Sequence, residues 1–394
     1  MAVYKENSQD MDVTLEEVAA SEQGSSFRTQ KPLSLPNEVL EEILFHLPPR
    51  VIRRHDSRAA ALAATSLVCK QWYGASQRLL YREVDLKDMS RETIKIVKVL
   101  SKEESKRDLV RSVIGEMMKA FPILQMAAAS ITNLNLETVA SHVYTLPPFP
   151  NLLVLKYTTK RTESTFQAVF SSSILAIFPH LHKSSRLQSL SLGGEVSLRY
   201  PNPNDNILLP DLASLTDLKI EDYRASESQP LTLLFPLGES KLKRLCVEKI
   251  GLAFWRHIVD LVTLAQSTLE SLRLQVFRNV YSSGETVSEY RCLPQLPELR
   301  HLSVVESDDP GAMLWYLSPS QDPAATPFFA LFPQISMSRH LASLEVDQLA
   351  FVSHEGMPKT LPLLSLKKLS ARQIPQLDPQ IFSAMFSQSE SLDY

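Results

Sequence analysis

The sequence predicts an α/β chain in which a small three-helix unit precedes an irregular solenoid of short parallel strands and helices. Two apolar stripes at helical spacing fall within residues 33–85. From residue 131 onward a six-residue pattern, L-x-x-L-x-L with near variants, recurs along the chain. Between two of its copies lies a third helical stripe, as a returning segment would require. A solenoid grows by stacking repeats and does not thicken its core, so one array can hold most of 394 residues.

Residues 1–32 are rich in Ser, Gln, Glu and Asp and carry few large apolar groups. They cannot bury enough surface to offset chain entropy, which predicts a disordered tail. The first ordered signal is Leu33 to Leu47. Pro36 suits the first turn of a helix, where its missing N–H costs nothing. Glu38 favours the positive end of the helix dipole. Leu40, Ile43, Leu44 and Leu47 form one stripe, and Pro48 and Pro49 end the helix. An alanine-rich stretch follows. After it Val68, Trp72, Ala75 and Leu79 make a second stripe. A unit this small needs a neighbour or a partner to be stable.

The segments LPNEVLEEILFHLPPR and LVCKQWYGASQRLLYREV, in that order, resemble an F-box. The resemblance rests on Leu35, Pro36, Glu38, Val39, Leu40, Ile43, Leu44 and Leu47 in the first half. In the second it rests on Leu67, Val68, Cys69, Trp72, Leu79 and Leu80. The stretch Val51 to Thr65 is longer than the usual connection. Cys69 reads as a small buried hydrophobe. Residues 86–130 have helical periodicity in part and few glycines, which predicts a packed helical junction between this unit and the array.

Residues 131–394 form the predicted array. Its clear copies centre on Leu190, Leu218, Leu245, Leu272, Leu302 and Leu344, and the weaker ones on Leu134, Leu155 and Leu369. From Leu190 to Leu302 the steps between centres are 28, 27, 27 and 30 residues, and the step to Leu344 is 42. An insertion near 305–338, rich in aromatic residues and prolines, accounts for the long step. Phe254, Ile258, Leu261, Val262 and Ala265 make a return helix. The pattern resembles leucine-rich repeats, without the Asn or Cys that follows the strand in regular ones; Tyr223, Ile250 and Phe277 stand there. Period-two alternation turns the residues between the leucines outward. They include Ser189, Ser191, Asp217, Lys219, Arg244, Cys246, Ser271, Arg273, His301, Ser303, Ser343 and Glu345. Lys219, Arg244 and Arg273, on three successive strands, predict a small basic strip.

Signals for chemistry are weak. No phosphate-binding loop, dinucleotide fingerprint, nucleophile elbow or zinc-protease helix occurs. The three cysteines, Cys69, Cys246 and Cys292, are far apart, odd in number and without metal-ligand spacing. No cofactor or metal is expected. A formal net charge of -3 gives no bulk electrostatic case for nucleic acid or anionic membrane. Without an apolar leader or spanning stretch, the chain reads as intracellular, in cytoplasm or nucleus.

The F-box resemblance implies docking on a Skp-family adaptor and, through it, on a cullin. The chain would then be the non-catalytic substrate receptor of an SCF-type ubiquitin ligase. Leu35, Pro36, Val39, Leu40, Ile43, Leu44, Leu47, Leu67, Val68 and Trp72 are the expected adaptor-binding residues. Lys219, Arg244, Arg273 and His301 are the expected substrate-binding ones. A scaffold with the same two parts that never joins a ligase is the alternative.

Overall fold

A computed structural model of the chain describes residues 35–46, 58–87, 91–139, 146–160, 186–193, 212–221, 241–251, 255–277, 293–307, 340–347 and 367–372. The expected tail at 1–32, Leu47, Cys292, Phe254, Tyr223 and nearly all of the expected insertion lie outside the described residues.

Three helices open the described chain: α1 (Asn37–His46), α2 (Arg58–Thr65) and α3 (Lys70–Arg82). The Pro36 carbonyl accepts the Leu40 N–H at 3.1 Å, so the proline stands immediately before the helix it was expected to start. Leu40, Leu44, Leu62, Ala75 and Leu79 close a small core, with Trp72 and Leu80 packed against it. The α1–α3 contact is tied at both ends. Gln71 donates its side-chain N–H to the Leu35 carbonyl. Arg78 Nε donates to Glu41 Oε1 at 2.5 Å. The pairs 35–71 and 41–78 rise together in number, so α1 and α3 run side by side in the same direction. Thr65 and Ser76, the latter fully buried, share a hydrogen bond of 2.9 Å between α2 and α3.

Among the remaining described residues, eleven strands form one parallel sheet in strict chain order. Helix α3 runs directly into β1 (Glu83–Asp85). Then follow α4 (Arg91–Lys102), α5 (Glu104–Arg107), β2 (Ser112–Glu116) and α6 (Met117–Ala127). Beyond them come β3 (Asn133–Val139), β4 (Val154–Lys160), β5 (Ser189–Gly193), β6 (Asp217–Glu221) and β7 (Arg244–Gly251). The helix α7 (Trp255–Leu264) leads to β8 (Ser271–Phe277), β9 (His301–Ser307), β10 (Ser343–Asp347) and β11 (Lys368–Arg372).

All nine copies of the leucine pattern fall on strands, β3 to β11. Their centres stand in one register: Leu134, Leu155, Leu190, Leu218, Leu245, Leu272, Leu302, Leu344 and Leu369. The backbone shows the same repetition. At each step one carbonyl just ahead of a strand accepts two successive N–H groups from the next unit. Thr132 takes Leu153 and Val154, Thr216 takes Lys243 and Arg244, and Ala342 takes Lys367 and Lys368. Parallel sheets are usually covered on both faces. Here alternate residues are buried and the others are not, so one face is apolar and the other polar. A single apolar cluster runs from Tyr81 to Leu344. The expected return helix is α7, whose Ile258, Leu261 and Val262 are buried; Ala265, also buried, lies in the turn that follows it.

Two strands were not indicated by the leucine pattern. The stretch 86–130 does carry α4, α5 and α6, but also β2, and β1 precedes it. Their centres are Val84 and Val113, both buried. The inward position after Val113 is Gly115, with φ 144°. A Cβ there would lie 2.8 Å from Leu86 Cβ, so the close approach of Leu86 dictates the glycine. This glycine and the two valines stand where the leucine pattern would place leucines. Strands β7 and β8 run on through Ile250 and Phe277, the positions that follow the strand in regular repeats.

Candidate functional site

The residues singled out in the helical unit divide into two sets. Leu40 and Leu44 are 0% and 1% exposed and belong to the internal core. Leu35, just ahead of α1, and Val39 and Ile43 within it, spaced by four, are 42%, 42% and 43% exposed and form one outward stripe. Pro36 is also exposed. The predicted stripe Leu40–Ile43–Leu44 is therefore split, because only its two leucines face α2 and α3.

The second stripe needs a similar correction. Helix α3 starts at Lys70, so Leu67 and Val68 lie in the preceding turn, 85% and 64% exposed. Val68 does not continue the face of Trp72, Ala75 and Leu79. Cys69 is exposed as well, in extended backbone at the helix start, and is not the buried hydrophobe expected. Its carbonyl accepts the Tyr73 N–H at 2.8 Å, which fixes the turn relative to α3. The bond from Gln71 to Leu35 places this turn beside the start of α1. The exposed apolar residues of α1 and of the turn thus flank one contact between helices, while the core beneath them is complete without them. Several large apolar side chains of this small unit are thus left exposed.

On the polar face of the sheet the three expected cations do not form one strip. Lys219 and Arg273 share a row with Cys246 between them. Arg244 stands in the neighbouring row, beside Asp217 and Ser271, with exposed His301 next along it. Each cation also meets a carboxylate. Arg244 pairs with Asp217. Lys219 Nζ lies 2.6 Å from Glu248 and 3.7 Å from Glu221, and Arg273 Nε lies 3.5 Å from Glu248. Lys249 reaches Glu221 at 2.7 Å from a residue with φ 56°, beside the register shift in β7. The sequence signal for this was the row two residues on, where Glu221 and Glu248 stand in register.

This network sets the local ionisation. Burial would raise the Glu248 carboxyl, but hydrogen bonds from Lys219 and Cys246 and the nearby cationic charges hold it below its ordinary value. Asp217 is held low in the same way, its burial outweighed by Arg244 and Thr216. Burial, reinforced by Glu248, pushes the Cys246 thiol up to about 12. A thiol so disposed stays protonated and is a poor nucleophile. Among the described residues no group of three His, Cys, Asp or Glu side chains is arranged to hold a metal ion.

A cleft of about 430 Å³ separates the helices from the first strands. Phe45, Arg78, Arg82, Arg111 and Glu83 are among its lining residues. Sequence reading gave no hint of it, since it arises only where the two parts meet. No helix among the described residues is long and apolar enough to cross a membrane.

A family model described as F-box-like matches residues 32–87. The match spans all three helices and β1. No curated protein matches the chain.

Proposed function

We propose that the chain is the substrate-recognition subunit of an SCF-type cullin ubiquitin ligase. In this reading the F-box-like domain docks on a Skp-family adaptor and the sheet region, an irregular leucine-rich-repeat solenoid, binds a protein substrate. The observation that carries it is the division within the F-box-like domain. Leu40, Leu44, Leu62, Ala75 and Leu79 complete the core, which leaves Leu35, Val39, Ile43, Leu67 and Val68 for a partner. Interfaces of this kind bind through a few desolvated apolar anchors.

The mechanism would be positional. No covalent step is assigned to this chain. Holding a substrate lysine near a charged conjugating enzyme raises its effective concentration. The junction suits that task. Helix α3 passes into β1 without an intervening residue, Leu79 belongs to the helical core, Tyr81 belongs to the sheet core, and Leu80 packs against both. A partner held at one end would keep a fixed distance from a ligand held at the other.

Co-purification of a Skp-family adaptor and a cullin with the intact chain tests this reading, with a Leu35→Ala/Pro36→Ala variant as control. A complex that contains both partners and is lost in a still-folded variant is the expected result. An adaptor complex without cullin would favour a scaffold outside the ligase, and no complex at all would remove the reading.

A further inference from the structure

We propose that the acidic N-terminal segment of this chain, residues 1–24, docks in cis on a lysine face of helix α4. The apolar side of α4 is buried, with Ile96 and Leu100 in the core. Its other side carries Lys95, Lys98 and Lys102, all exposed. These are spaced three and four apart, which stacks like charges on one face and works against the helix. Among the described residues none of the three forms an ion pair, whereas Lys87, Lys119, Lys219, Lys243 and Lys249 each do. An uncompensated cationic face on a packed helix is relieved by a polyanionic occupant. Ile94, partly exposed on the same helix, adds an apolar contact.

The chain supplies such an occupant. Through residue 24 it has Glu6, Asp10, Asp12, Glu16, Glu17 and Glu22 against one lysine, Lys5. The acidic residues are interleaved with Val13, Leu15 and Val18, which would match Ile94. Geometry permits the contact. Helix α4 packs against α2, which shares a core with α1, the helix to which the segment leads. The ten intervening residues reach at most about 36 Å, while α4 itself is about 18 Å long. A tether of that length gives an effective concentration no free anion would match, so even weak ion pairs suffice.

Zero-length carbodiimide crosslinking of the full chain, mapped by mass spectrometry, tests this. The expected result is amide links from Lys95, Lys98 or Lys102 to Asp12, Glu16 or Glu17. They should vanish in about 1 M salt, where the Debye length is about 3 Å. They should also stay within one chain when isotopically light and heavy protein are mixed. Links between light and heavy chains would make a second copy the occupant and overturn the assignment, as would the absence of segment links. A Lys95→Ser/Lys98→Ser/Lys102→Ser variant should speed proteolysis within residues 1–24 by roughly three- to tenfold. Should that variant fail to fold, Glu16→Gln/Glu17→Gln removes the charges from the other side. An unchanged cleavage rate in the folded variant overturns the proposal.

Discussion

The side chain of Gln71, in the first turn of α3, donates a hydrogen bond to the main-chain carbonyl of Leu35, just ahead of α1. One bond thus sets the spacing between the two exposed apolar elements of the domain. Gln71→Ala is expected to cost about 0.5–1 kcal/mol in urea denaturation, the usual value of one partly solvated bond. Its effect on adaptor affinity should be larger than that loss implies, because the relative placement of Leu35 and Leu67 is disturbed. Equal losses in both measurements would mean the bond serves stability alone.

Leu44 and Ile43 are neighbours in sequence with opposite environments. Leu44→Ala empties a buried site and should destabilise the helical unit by about 2–4 kcal/mol. Ile43→Ser removes an exposed side chain and should stay within about 0.5–1 kcal/mol of the parent. Thermal unfolding of the two variants side by side decides whether the outward stripe is free of structural duty.

Gly115→Ala is expected to cost about 2–4 kcal/mol, since a non-glycine residue at φ 144° is strained and its Cβ would press on Leu86. Chemical denaturation measures it. A variant of parental stability would mean that β1 and β2 are not held together as described.

Glu248 is held below its ordinary ionisation range, and Asp217, further along the same pair of strands, is in the same condition. A group lowered in the folded state stabilises above its unfolded pKa, about 4.3 for Glu, and loses that contribution as pH falls through the folded value. Stability should therefore be flat near neutrality and drop in acid. Glu248→Gln should shallow that drop and cost a few tenths to about 1 kcal/mol at pH 7, through loss of Lys219 and Arg273 as partners. Denaturation midpoints at pH 7 and pH 4 give the comparison.

The repeated sheet was legible because its signal is strictly periodic. Each leucine triplet marks one strand, and the register from Leu134 to Leu369 follows from the triplets alone. What hid β1 and β2 was substitution: valines replace the central leucine, and crowding at Leu86 forces a glycine. At the helical unit the apolar pattern located α1 and α3 but could not divide buried from exposed. Leu40, Ile43 and Leu44 are equally apolar, and only the direction of α2 and α3 separates them. The basic strip failed for a related reason. Lys219, Arg244 and Arg273 were counted as charges without the register that puts Asp217 and Glu248 against them.

Adaptor docking through the exposed apolar residues is measured by the affinity of a Skp-family adaptor for the intact chain, for Val39→Ser/Ile43→Ser and for Leu67→Ser/Val68→Ser. Both double variants should melt as the parent does yet bind at least about thirtyfold more weakly, as loss of interface anchors entails. Parental affinity in either folded variant, or no binding by the intact chain, would contradict this docking.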